Sequence, residues 1–356
     1  MCSVGMLLVM DMDTETQQFR EVLNPPNPWQ EHRVEWLEEI PVQKVKLYKD
    51  SSRSVLSMND SPDLPFKWSV NPYRGCTHAC AYCYARSSHE YLGLGAGRDF
   101  ESLLFVKENA AELLREEMAK PSWTGERVVF SGVTDPYQPV EASLKITRAC
   151  LEVCEEVSNP VTIITKGALV ERDLDLLKRI HEREDVLLIV SIPFLHGETA
   201  RGIEPGVPSP RRRFEVIRRA TQFNIPVAVA ISPIIPGLND MEVAGILREA
   251  RRAGARHAMH SLVRLQGSVD TVFRQRLRER FPGRKKRILS QMSACRDGKE
   301  SQQRFHERMK GKGERWEIVS QLFQKVWRDE GYVDWSGPDR ATSFRRPGKN
   351  GQLHLL

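Results

Sequence analysis

Cys76, Cys80 and Cys83 stand in one short run, Asn71-Pro72-Tyr73-Arg74-Gly75-Cys76-Thr77-His78-Ala79-Cys80-Ala81-Tyr82-Cys83-Tyr84. Three thiolates at C-x3-C-x2-C spacing can hold three irons of a [4Fe–4S] cluster. Such clusters ordinarily take four cysteines, so a close trio with no fourth beside it leaves one iron open to an outside chelator. Two other chemistries use cysteines. A disulfide framework does not suit seven cysteines, sparse and odd in number, among 356 residues. A zinc site would take His78 or His89 as fourth ligand, but structural zinc sites usually show two separated ligand pairs and no second pair stands out. His78 lies inside the tight loop, where its ring is expected to meet solvent or pack locally.

The elements that must present this loop are legible as an alternation. From Trp68 onward, short β-branched apolar runs alternate with amphipathic stretches. The runs predict strands over 68–73, 128–133, 161–165, 186–194, 226–234 and 257–265. Helices are expected over 108–118, 143–157, 172–181, 212–223 and 241–252. Strict alternation argues for parallel βαβ units. Six such units make an α/β partial (β/α)6 TIM-type barrel, shorter than the roughly 250 residues of a closed eightfold barrel. An open doubly wound sheet is the other arrangement, and no Gly-rich fingerprint follows the first strand to support it. We place a polar, turn-rich N-terminal extension at 1–66, the barrel at 67–270 and a basic helical C-terminal extension at 271–356.

Barrel chemistry sits on the loops at the C-terminal ends of the strands. The cysteines follow the first strand directly. At the same edge fall Gly132-Val133-Thr134-Asp135-Pro136 after the second strand, Lys166-Gly167 after the third, Ser191 in the fourth and Pro236-Gly237-Leu238-Asn239-Asp240 after the fifth.

Composition is that of a globular chain, 40% hydrophobic and 28% charged. The apolar run Met6 to Met10 is too short for a membrane span and lacks a basic leader, so neither membrane insertion nor a signal peptide is expected. Free thiols and an oxygen-sensitive cluster point to a reducing cytoplasm. The net charge of +6 conceals an asymmetry. Residues 1–200 carry 21 Lys and Arg against 31 Asp and Glu, whereas residues 201–315 carry 26 against 11. Such a bias is either the footprint of a nucleic-acid partner or a set of solvated helix faces.

The cysteine loop with its Tyr82-Cys83-Tyr84 sequence resembles the spore photoproduct lyases of the radical S-adenosylmethionine (SAM) superfamily. Longer stretches resemble uncharacterised bacterial radical SAM proteins related to those lyases. They are Asn59-Asp60-Ser61-Pro62-Asp63-Leu64-Pro65-Phe66, Asn71–Cys76, Tyr91-Leu92-Gly93-Leu94, Asp99-Phe100-Glu101, Val133-Thr134-Asp135-Pro136-Tyr137-Gln138-Pro139-Val140-Glu141, Pro236–Asp240 and Arg308-Met309-Lys310-Gly311-Lys312-Gly313. The resemblance runs from about residue 50 to about 330. It implies a [4Fe–4S] cluster on Cys76, Cys80 and Cys83, with SAM chelating the open iron. It implies that Tyr82 packs near the adenine, that Asp135 and Lys166 line the SAM pocket, and that Thr134 and Ser191 offer hydroxyl contacts. A bare salt bridge between Asp135 and Lys166, and a buried core role for Tyr82, stand as the structural alternatives. Tyr84 matches a lyase tyrosine associated with radical relay. It also implies an electron donor such as a flavodoxin or ferredoxin.

One departure matters. Where the lyases carry a hydrogen-donating cysteine, three residues before the aspartate, this chain has Gly132. Cys150 and Cys154, spaced i, i+4, read as core thiols, and nothing places Cys2 or Cys295 near the site. The expected function is therefore reductive cleavage of SAM to a 5′-deoxyadenosyl radical by a lyase-like enzyme; its substrate is left open between nucleic acid, peptide and small molecule, with the basic residues 201–315 pointing towards nucleic acid. The alternative is a zinc-stabilised nucleic-acid-binding protein without SAM chemistry.

Overall fold

A computed structural model describes residues 44–296, 298, 305–335 and 342–347. Cys2, the Met6 to Met10 run and the rest of residues 1–43 lie outside the described residues. Ten strands are described: β1 Lys46–Lys49, β2 Leu56–Met58, β3 Trp68–Val70, β4 Tyr73–Arg74, β5 Leu103–Val106, β6 Val128–Phe130, β7 Val161–Thr165, β8 Val186–Ser191, β9 Val227–Ile234 and β10 His257–Leu262. The α-helices are α1 Arg98–Ser102, α2 Ala110–Ala119, α3 Glu141–Leu144, α4 Ile146–Glu156, α5 Leu174–Arg183, α6 Gly197–Ile203, α7 Pro210–Gln222, α8 Val243–Ala253, α9 Ser268–Arg280, α10 Lys285–Ala294 and α11 Glu314–Asp329.

Strands β3, β6, β7, β8, β9 and β10 lie side by side in chain order, all parallel. This is the partial (β/α)6 arrangement. β2 caps the β3 edge in the antiparallel sense, and among the described residues no pairing joins β10 back to β2. The barrel is open. A second, three-stranded sheet, order β1-β5-β4, stands beside it. Every residue of β8, Val-Leu-Leu-Ile-Val-Ser, is buried, as a parallel strand covered on both faces requires. α7 starts where Ser209 accepts a 3.3 Å hydrogen bond from the Arg212 N–H, with Pro210 in the first turn. α8 stops at Gly254, whose φ of +111° lets the chain turn back towards β10.

Several expected strands are shorter than their apolar runs. The run at 68–73 breaks after Val70, and its Tyr73 joins β4, which pairs with β5 in the second sheet, while the runs at 128–133 and 186–194 give up their last residues to the site loops. The open side is crossed by the segment carrying Arg308-Met309-Lys310. The Leu262 N–H donates to the Met309 carbonyl at 3.0 Å, and Arg308 bonds Asp63 and Ser61. Two sequence stretches 245 residues apart thus meet as a clasp between the β2 and β10 edges. Among the described residues no helix is long and apolar enough to cross a membrane.

α11 packs over α8 and β10. Its Trp316 and Phe323 rings lie 5.7 and 4.1 Å from the His260 ring, and burial holds the pKa of His260 down to about 4. The unfolded chain takes up this proton below about pH 6.5, the folded chain only near pH 4, so stability falls as the pH is lowered through that window. Unfolding of His260→Leu in urea should lose about 2 kcal/mol less between pH 7 and pH 5 than the parent. Equal losses would remove His260 as the acid-sensitive group.

Candidate functional site

The cysteine loop leaves β4 and folds back in two tight turns, with the Ala79 N–H on the Cys76 carbonyl and the Cys83 N–H on the Cys80 carbonyl, each at 3.2 Å. Cys76 and Cys80 are buried, Cys83 is half-buried, and all three are free thiols. Burial pushes the Cys80 and Cys83 thiols up, and in both cases a neighbouring cysteine adds to the shift. Among the described residues no three His, Cys, Asp or Glu side chains are placed to hold one metal ion together. A cuboidal cluster asks for a different geometry, because each thiolate meets its own iron. His89 is occupied elsewhere, with Nε2 at 2.9 Å from the Leu103 carbonyl and its ring edge-on to Phe100 and Phe105.

Four neighbours hold this loop. Gln138, fully buried, accepts from the Thr77 N–H and donates to the Gly75 carbonyl, both at 3.1 Å, and so brackets Cys76. Arg86, also fully buried, donates to the Cys80 carbonyl at 2.9 Å and pairs with Glu101. The Ala81 N–H donates to the Ile203 carbonyl at 3.0 Å, and the Gly206 N–H to the His78 carbonyl at 3.2 Å. Gly206 is there because the chains touch: a Cβ on it would stand 2.1 Å from the Thr77 carbonyl oxygen. Gly206→Ala should therefore displace the loop, seen as iron retained after anaerobic desalting falling to less than half the parent's. Parental iron retention would contradict that role for the contact.

The polar residues expected at the strand ends are brought to this loop, but in different ways. His78 does not reach solvent: it is buried, with Nδ1 3.3 Å from Asp135 Oδ2. Burial works against both charges, yet the mutual attraction and the added hydrogen bonds prevail, so His78 is held protonated and Asp135 ionised. Asp135 also accepts from Thr165 Oγ1 at 2.6 Å, from the Tyr137 N–H at 2.9 Å and from the backbone N–H of Lys166 at 2.7 Å. Those four donors fill its acceptor positions. It is the Lys166 backbone, not the ammonium, that bonds Asp135. The ammonium of the half-buried Lys166 lies 5.7 Å from the centre of the Tyr82 ring. Burial disfavours its charge, but Cys80, Glu204 and Asp135 outweigh that and raise its pKa. Thr134 donates to the Tyr73 carbonyl at 3.1 Å. The Ser191 carbonyl receives Arg213 at 2.9 Å. Tyr84 is exposed, and its hydroxyl donates to the Gly132 carbonyl at 2.5 Å. Gly132 has φ +126°, which a side chain rarely adopts, and a Cβ there would meet Ser69 Oγ at 3.3 Å.

A buried ionic triad escaped the sequence reading. Tyr82 donates its hydroxyl to Glu204, and Glu204 pairs with Arg213 at 2.7 Å. Both charged members are only 1% exposed. Burial and the Glu204 carboxylate together push the Tyr82 hydroxyl far above its ordinary range. Arg213 sits in the basic run 211–219, which composition assigns to a surface, and Glu204 lies at the end of α6, which no periodicity announced. The rest of that run is largely paired: Arg212 and Arg219 with Glu171, Arg218 with Glu215. Cys150 and Cys154 are fully buried in the core, and Cys295 is buried beneath α10.

A family model described as the radical SAM superfamily matches residues 70–250. The chain is 36% identical over 208 residues to an uncharacterised protein of Mycobacterium tuberculosis, covering 58% of this chain and 61% of that one. It is 26% identical over 215 residues to a protein of Pseudomonas phage M6 named radical SAM Nalpha-GlyT isomerase, covering 60% of this chain and 42% of the relative. The chain thus spans about three fifths of the mycobacterial relative's length. A solved variant of spore photoproduct lyase with bound AdoMet and dinucleoside spore photoproduct shares the fold, with a TM-score of 0.56 and 14% identity over 80% of each chain.

Proposed function

Because the chain belongs to the radical SAM superfamily, we propose that Cys76, Cys80 and Cys83 hold a [4Fe–4S] cluster and that the pocket beside them binds SAM. The donor set fits: three free thiols on one short loop, none in a disulfide. When bound, the cluster supplies an electron to the sulfonium of SAM, and the S–C5′ bond breaks to give methionine and the 5′-deoxyadenosyl radical. The chain's own residues do the rest. Lys166, a half-buried cation, offers a charged partner to the methionyl carboxylate. Tyr82, fixed through its hydroxyl by Glu204, gives the adenine a flat wall. Ser191 and Thr134 contribute hydroxyls. Asp135 is a positioning residue, since its acceptor sites already fasten His78 and the end of β7. A flavodoxin or ferredoxin delivers the electron.

The observation that supports this reading most is convergence: Lys166 from the end of β7 lies over Tyr82 of the cysteine loop, and Arg213 joins the Ser191 carbonyl at the end of β8 to the Glu204 that holds Tyr82. Tyr84, exposed at the mouth of the pocket, faces the substrate and is assigned the relay of the radical. The substrate class we assign is nucleic acid, on the excess of cations in residues 201–315 and on the nucleoside-containing ligand of the lyase neighbour. Dimer reversal by thiol quenching is left to the lyases, because Gly132 stands where they carry the hydrogen donor. The test is label transfer. With sugar- and base-deuterated DNA, deuterium should appear in 5′-deoxyadenosine; its absence with DNA and RNA alike, while SAM is still cleaved, would end the nucleic-acid assignment.

A further inference from the structure

The cations of the basic half are not equally free. On α7 they are mostly spent on Glu171, Glu204 and Glu215. Farther along, Arg274 pairs with Asp270 and Arg276 is buried beside Glu101. From the end of α9 into α10 stands a run of five exposed cations, Arg278, Arg280, Arg284, Lys286 and Arg287, with no ion pair among the described residues; Arg201, Arg211, Arg256 and Lys310 are likewise exposed and unpaired there, but scattered. α10, which carries the last two, has no acidic residue in its first turn.

The position of α10 gives this residue of charge its meaning. At one end Arg284 donates to the Gly237 carbonyl at 3.1 Å, in the loop after β9. At the other, Arg296 bonds the Val263 carbonyl, one residue past β10. The helix therefore lies along the rim formed by the C-terminal strand ends, the edge that carries the cysteine loop. Next to it, Arg264 follows β10 with an under-satisfied guanidinium. Its Nη2 donates to Gln266, while its buried Nε has no hydrogen-bond partner among the described residues. The clasp carboxylate that could have served it, Asp63, is taken by Arg308. α9, which starts four residues after Arg264, packs against the turn Tyr84–Ser88 and so holds Arg264 on the Tyr84 side of the rim.

We propose that Arg280, Arg284, Lys286 and Arg287 form a phosphate track on the rim, and that Arg264 receives the phosphate next to the target nucleotide, so that the strand is led to Tyr84. This rests on the nucleic-acid reading above and narrows it to one face: the binding surface is α10 and the end of β10, not the arginine run of α7. Phosphate neutralisation by such a track makes binding salt-dependent and sequence-tolerant.

The experiment compares binding of a fluorescent single-stranded 12-mer by the parent, by Lys286→Glu/Arg287→Glu and by the α7 control Arg211→Glu/Arg218→Glu, across a salt series. The rim reversal should weaken binding at least about tenfold at low salt and flatten the log–log salt slope by about 1 to 1.5. The control should stay within about twofold, and both variants should cleave SAM without substrate at the parental rate, which shows that the fold and the site are intact. If the parent binds and the rim reversal binds equally well, or the control falls as far, the track is wrong while the nucleic-acid reading stands. If the parent binds no oligonucleotide, or binds only vesicles of phosphatidylserine, both are wrong.

Discussion

Cys80→Ala should reconstitute without the brown [4Fe–4S] absorption and make no 5′-deoxyadenosine above background, a fall of at least about 10³-fold, or about 4 kcal/mol of barrier. The reasoning is coordination chemistry. Cys80 is the middle member of the proposed trio, and among the described residues no other cysteine stands in to replace it: Cys150, Cys154 and Cys295 are fully buried on other elements. On the proposed assignment alanine removes the one sulfur through which the Cys80 turn would hold iron, so the loop should keep its backbone bonds to Arg86 and Gln138 but lose the cluster. Cys150→Ala is the matched control. It deletes a buried thiol of the core and should leave the absorption and the cleavage in place. Equal loss in both variants would mean that the effect is one of folding, and retention of cleavage in Cys80→Ala would exclude this trio as the cluster site.

The second large effect is on stability. Glu204→Ala should lower the unfolding free energy of the metal-free protein in urea by about 3–5 kcal/mol, because it strands the Arg213 guanidinium in the interior and takes away the acceptor of the Tyr82 hydroxyl. The cost belongs to the uncompensated charge, so it is reversible by a second change. Glu204→Leu combined with Arg213→Met should recover more than half of the loss, since a buried ion pair often adds little over apolar side chains of similar volume. A loss below about 1 kcal/mol in Glu204→Ala would show that water or rearrangement satisfies Arg213, and that Tyr82 is not fixed by this triad.

The contrast between what the sequence announces and what it conceals is physical. Strand β7, Val161–Thr165, coincides with its apolar run, and α8 falls within two residues of its expected span, because period and burial agree there. The cysteine loop stands out in the sequence because its residue type and spacing are fixed together, and it falls within the stretch that the family match covers. Side chains that act by reaching across the barrel have no such period. Gln138 lies in a stretch notable only as a resemblance, yet it brackets Cys76 from 61 and 63 residues away. Glu204 and Arg213 look like two ordinary surface charges until α6 and α7 fold them onto Tyr82. His78 was expected in solvent or in local packing because the loop is short; the second strand's loop instead brings Asp135 over it. The basic run was read as one feature, and only ion pairing divides it into a spent part on α7 and an exposed part at the rim.

The direct test of the central claim is anaerobic reconstitution of the wild-type chain with iron and sulfide, followed by reduction with dithionite and chromatography for 5′-deoxyadenosine. The account predicts about four iron and four sulfide per chain and 5′-deoxyadenosine that forms only when SAM and reductant are both present. A colourless protein that keeps about one zinc, takes up no cluster and leaves SAM intact would contradict it.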